Sequence, residues 1–83
     1  MSPNRVTPVL RLAIARRMQR KFDEAEAVVH RMLAAYPADL SLLLESGLLD
    51  VAQNNKESDR EKFAEMLSLD PTNTLAKQYA AQP

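Results

Sequence analysis

Residues 21–40 read KFDEAEAVVHRMLAAYPADL. Within them Phe22, Ala25, Val29, Met32, Leu33 and Tyr36 recur at the i, i+3, i+4 spacing that gathers apolar side chains on one helix face. Pro37 closes the run, because a proline pushes the residue before it away from helical angles. Asp39 follows at once, and its carboxylate suits the cap of a new helix. An amphipathic helix, a stop and a fresh start thus lie in one short stretch.

Working outward, Thr7 and Pro8 read as the N-cap and first residue of an earlier helix. Val9, Leu12, Ala13 and Arg16 then share one face, with Leu10 and Ile14 on an adjoining stripe. Lys21 and Phe22 begin the second helix. Downstream, Asp39 opens a third that runs to about Gln53, and Asn54 and Asn55 supply the break. A fourth carries Phe63, Met66, Leu67 and Leu69 up to Pro71, and Thr72 or Asn73 caps a short fifth holding Leu75, Ala76, Tyr79 and Ala80. No stretch alternates with the period of two that a half-buried strand needs. The sequence therefore predicts an all-α protein of five antiparallel helices.

The same punctuation occurs twice. Pro37 and Pro71 stand 34 residues apart, and that offset also pairs Met32 with Met66, Leu33 with Leu67, Leu10 with Leu44, Gln19 with Gln53 and Asp39 with Asn73. A 34-residue helix-turn-helix period is the signature of tetratricopeptide repeats, whose pattern runs W-x2-L-G-x2-Y, then A-x3-F, then P. Over roughly residues 6–80 the chain resembles that family. In the first repeat the pattern falls on Val9, Leu12, Ala13 and Arg16, then Ala25 and Val29, then Pro37. In the second it falls on Leu43, Ser46, Gly47 and Asp50, then Asp59 and Phe63, then Pro71. Leu12, Ala25, Pro37, Gly47, Phe63 and Pro71 match it. Asp59 departs from the small alanine, and Arg16 and Asp50 replace the tyrosine.

The resemblance implies an α-solenoid type of fold: antiparallel helix-turn-helix repeats in a single domain spanning residues 1–83. Repeat 1 covers about 6–39, repeat 2 about 40–73, and a capping helix about 74–81. Small residues at Ala13, Ala25 and Gly47 would let helices approach, bulky ones at Leu12, Val29 and Phe63 would fill the space between, and Pro37 and Pro71 would stop the second helix of each pair.

Composition narrows the function. An 83-residue chain is short for a self-sufficient core. Without cysteine it has neither disulfides nor thiolates. His30 is the only histidine, with no second histidine to complete a metal set, and reads as an exposed helical residue. Glu57, Asp59, Glu61 and Glu65 alternate with Lys56, Arg60 and Lys62 on one helix and read as a solvated face. One glycine cannot form a phosphate-binding loop. An enzyme is not expected, nor a metal or other cofactor. The first residues lack the order of a signal peptide, and no apolar run approaches the ~20 residues of a membrane span, so the cytoplasm is the expected location.

Formal charge is zero but unevenly spread. Arg5, Arg11, Arg16, Arg17, Arg20 and Lys21 all precede the first acid, Asp23; from there to Asp70 eleven acids face four bases. The basic residues scatter around the first helix without interleaved aromatics, which makes nucleic-acid binding an unlikely use of it. The third helix is different in kind. Leu40, Leu43, Leu44, Leu48 and Val51 form one broad sector while Leu42 and Leu49 point the other way, and a helix apolar nearly all round must be covered on several sides.

In tetratricopeptide proteins the first helices of the repeats line a concave groove. The matching positions are Leu10, Ile14 and Arg17 in the first repeat and Leu44, Leu48 and Val51 in the second. The resemblance therefore implies a protein-interaction module, an adaptor or chaperone-type scaffold, binding a helix or an extended apolar peptide. Leu10 and Ile14 stand where the family's carboxylate clamps carry Lys and Asn, which disfavours tail clamping. Two alternatives remain: a self-associating unit whose groove is a homo-oligomer interface and, more weakly, a nucleic-acid-associated protein using the basic first helix.

Overall fold

A computed structural model describes residues 5–80 and shows five α-helices in sequence, with no strand among the described residues. They are α1 (Val6–Met18), α2 (Phe22–Ala35), α3 (Leu40–Ala52), α4 (Lys56–Leu69) and α5 (Thr74–Ala80). The tail of the expected capping helix, residue 81, lies outside the described residues, as do the ends of the expected 1–83 domain.

The boundaries repeat along the chain. α3 begins and ends 34 residues after α1, α4 does the same relative to α2, and α5 begins 34 residues after α3. The turns repeat bond by bond. Gln19, Arg20 and Lys21 N–H groups donate to the carbonyls of Ala15, Arg17 and Arg16; Gln53, Asn54 and Asn55 donate to those of Leu49, Val51 and Asp50. This is a Schellman closure, which needs a left-handed residue just past the helix end. Arg20 (φ 61°) and Asn54 (φ 58°) supply it.

The second turns also correspond. Pro37 and Pro71 each follow a residue, Tyr36 or Asp70, whose N–H closes the preceding helix on a methionine carbonyl, Met32 or Met66. Asp39 then caps α3 through Oδ1, which accepts from Leu42 N–H at 3.0 Å, and Asn73 Oδ1 accepts from Ala76 N–H at 2.9 Å to cap α5. Of the two candidate caps, Asn73 takes the role because the Thr72 hydroxyl donates instead to Asp70 Oδ1 at 2.9 Å.

The start of α1 corrects the sequence reading. Helix begins at Val6 with Arg5 in the cap position, two residues ahead of the expected start at Pro8. Pro8 is tolerated there because the first four N–H groups of a helix have no intrahelical acceptor to lose.

Two small cores meet on α3. The first joins Ala13 of α1, Ala25 and Val29 of α2 and Leu49 of α3, with Phe22, Val28 and Leu33 packed against it. The second joins Leu43 of α3, Phe63 and Met66 of α4 and Ala76 of α5, with Leu33, Leu40, Leu44 and Leu67 around it. Leu33 touches both. α3 therefore packs on α1, α2 and α4, and Leu42, Leu43 and Leu49 are almost wholly buried. Its apolar circumference has found its cover on that side.

The close-packing positions differ in chemistry between the repeats. Ala13 and Val29 occupy one repeat; Gly47 and Phe63 stand at the same places in the other. The tip of the Phe63 ring fills the space a larger residue 47 would use: a Cβ on Gly47 would lie 2.7 Å from Phe63 Cζ. Leu12 is a second correction. It was expected to fill space between helices, yet it is 44% exposed. Ala13 takes the inward direction of α1, and Leu12, about 100° round the helix, falls outside that face.

Candidate interaction face

α3 divides cleanly around its axis. Leu42, Leu43, Glu45, Ser46, Gly47, Leu49 and Asp50 are buried. The remaining sector carries Leu44 and Leu48, both half-buried, and Val51, which is 37% exposed. On α1 the matching positions Leu10, Ile14 and Arg17 are also half-buried. α1 and α3 pack side by side, so each contributes a partly uncovered apolar stripe. Leu44 also packs against the second core; Leu10, Ile14 and Leu48 belong to neither cluster.

Arg17 does not stand open as a cationic edge. Its Nε donates to Glu45 Oε2 at 2.6 Å, and the Glu45 side chain is only 3% exposed. A buried carboxylate is tolerated only with a strong partner, and this one ties α1 to α3. The sequence contains a clue to it: Glu45 and Asp50 are the only charges in α3, and a charge on a helix buried over most of its surface must find compensation inside the fold.

Asp50 is the other such charge. Ser58 Oγ donates to its Oδ2 at 2.6 Å. Burial pushes the Asp50 carboxyl above its ordinary value, assisted by the nearby Glu26 and Asp59 charges, while the Ser58 hydrogen bond and Lys62 pull the other way. In repeat 1 the same two positions hold Arg16 and Glu24, whose Nε and Oε2 lie 3.7 Å apart in a more exposed setting. Both pairs staple the end of a first helix to the start of the second.

Among the residues expected to pack the repeats, Ala13, Ala25, Val29, Gly47 and Phe63 are buried, while Pro37 and Pro71 are exposed in their turns. His30 is exposed on α2. Among the described residues no group of three His, Cys, Asp or Glu side chains is arranged to hold a metal ion, and no helix is long and apolar enough to cross a membrane. An open depression of about 400 Å3 lies apart from the apolar stripes, lined by Arg20, Lys21, Phe22, Asp23, Glu24 and Gln53. There the Arg20 guanidinium sits 5.3 Å from the centre of the Phe22 ring. Charges of both signs and wide opening to solvent give it no evident ligand preference.

No family model matches the chain, and neither a curated protein nor a solved structure matches it. The functional reading therefore rests on the residues and their geometry.

Proposed function

We propose that this chain is a protein-interaction module of the tetratricopeptide type, with a groove formed by Leu10, Ile14, Leu44, Leu48 and Val51 that takes one face of an amphipathic helix or an extended apolar peptide. The observation that carries this reading is the asymmetry of α3. Seven of its residues are buried by the chain itself, while Leu44, Leu48 and Val51 remain in part exposed beside the stripe of α1. Covering the rest of three such side chains would add a fraction of the ~1.5–3 kcal/mol that each gains on full burial. The reading also draws on the 34-residue recurrence of helix ends, caps and turns. It assigns the chain no catalytic step and no cofactor.

Peptides selected from a random display library against the chain test this. They should carry apolar anchors at helical or alternate spacing, and should lose binding to Leu44→Glu and Leu48→Glu while keeping it to Glu61→Lys and Glu65→Lys on α4. Selected peptides indifferent to both leucine substitutions would refute the groove. A mass that doubles with concentration, and stays monomeric in Leu48→Glu, would assign the same face to a second copy instead.

A further inference from the structure

The repeat register allows one part of the molecule to be read as the template for another. The face of α3 that packs onto repeat 1 carries Leu42, Ser46 and Leu49 with Glu45 at its edge, all buried. The residues 34 positions earlier, Pro8, Leu12 and Ala15 with Arg11, form the same face of α1, and all four are exposed. Met18, the next residue along its margin, is 75% exposed. α1 thus presents in the open the surface that its counterpart buries against a helical hairpin. A terminal repeat that ends in solvent is normally polar on its outer side; here the centre of that side is Pro8, Leu12 and Ala15.

Charge decides what fits. In the template, Glu45 of the incoming helix meets Arg17 of the helix that receives it. On α1 the position of Glu45 holds Arg11, so the complementary group must be a carboxylate. Arg11 has no ion pair among the described residues, whereas Arg16 and Arg17 face Glu24 and Glu45. α1 contains no acid at all, so two copies of this face would oppose arginine with arginine, and a symmetric dimer through it is disfavoured. We propose that the outer face of α1 (Pro8, Arg11, Leu12 and Ala15) is a second docking surface, distinct from the groove, that receives an acidic amphipathic helix with a carboxylate against Arg11.

The probe is a synthetic amphipathic helix with a Leu/Ala stripe bordered by glutamates, alongside a version with lysine at each glutamate position. Titrated into the isotope-labelled chain, the glutamate helix should shift the amide resonances of Arg11, Leu12 and Ala15 saturably. Leu12→Glu should weaken it about tenfold or more. Because Leu12 is exposed, that variant should melt like the parent. Arg11→Glu should reverse the preference, so that the lysine helix binds and the glutamate helix does not. Leu48→Glu should leave all of this unchanged, which separates this surface from the groove. Shifts confined to Leu44, Leu48 and Val51, equal affinity for both helices, or binding indifferent to Leu12→Glu would each overturn the proposal. So would a dimer in solution that Leu12→Glu dissolves, since the occupant would then be a second copy.

Discussion

α1 and α3 have the same length, occupy the same place in consecutive repeats and end in the same hydrogen-bonded turn. Yet α3 buries seven of its thirteen residues and α1 buries only Ala13. Repeat position sets the backbone; neighbours set the burial. α3 has a helical hairpin on one side and α4 with α5 on the other, while α1 has described neighbours on one side only. The two repeats also solve the same packing problem with different side chains, so exchanging those solutions tests how independent they are.

The largest effect should come from the pair Gly47 and Phe63. Phe63 is fully buried at the centre of the second core, and Phe63→Ala should cost about 3–5 kcal/mol, a large share of the stability of so small a domain. Gly47→Ala should cost about 1–3 kcal/mol through overpacking against the ring, less the ~1 kcal/mol that alanine gains over glycine inside a helix. Transplanting the first repeat's combination, Gly47→Ala with Phe63→Val, should remove the clash. A double-mutant cycle from denaturant melts reads the coupling. Strict additivity would show that the ring tip does not depend on the missing Cβ.

The helix-helix tie comes next. Arg17→Met strands a nearly buried Glu45 carboxylate and should cost about 3 kcal/mol. Glu45→Leu added to it replaces the ion pair with apolar packing and should restore most of the loss. Thermal melts of the two variants decide this. Equal instability of both would mean that packing of the Arg17 stem, rather than its charge, joins α1 to α3.

The contrast between what was legible and what was not follows the range of the interactions. Asp39 and Asn73 cap their helices, Pro37 and Pro71 follow helix ends, and Asn54 turns the chain, because each acts within a few residues of itself. Thr7 and Pro8 misplaced the first helix start by two residues, since a proline fits any place in a first turn. The Arg17–Glu45 tie spans 28 residues and was hidden, because Arg17 sits on a helix where every charge looks solvated. Leu12 was assigned to packing from its place in a family pattern, and that place is inward only where a neighbouring helix covers it. The exposed valine and leucines of the groove were legible as an excess of apolar positions on α3. Which of them the chain itself buries was not.

The left-handed turn residues offer a smaller comparison. Arg20 and Asn54 hold equivalent positive-φ positions, where asparagine is tolerated better than arginine and glycine best of all. Asn54→Gly should stabilise by less than about 1 kcal/mol. Arg20→Gly relieves more backbone strain but gives up the guanidinium over Phe22, an exposed cation–π contact of about 0.5–1 kcal/mol, so it should be nearly neutral. Arg20→Asn would separate the two contributions. Melting curves on which Arg20→Gly is clearly the more stabilising would mean that the Phe22 contact contributes nothing.

The smallest expected effect is a pH dependence that one staple has and the other lacks. Asp50 is an acid whose folded pKa lies above its ordinary 3.8, chiefly through burial. Below 3.8 the carboxyl is protonated whether the chain is folded or not, and it imposes no charge penalty. As pH rises through the raised folded value, the unfolded chain ionises more readily than the folded one, and stability is lost across that window. Asp50→Asn cannot ionise and keeps an oxygen to accept the Ser58 hydroxyl. The difference in melting temperature between Asp50→Asn and the parent should therefore be more positive at pH 7 than at pH 3.5. Arg16→Gln, at the equivalent place in repeat 1, should produce no such gradient near neutrality, because its exposed partner Glu24 lies 3.7 Å away in a screened setting. A parent-to-Asn difference independent of pH would mean that the Ser58 hydrogen bond and Lys62 offset the burial of Asp50 in full, leaving the two staples equivalent in strength despite their different chemistry.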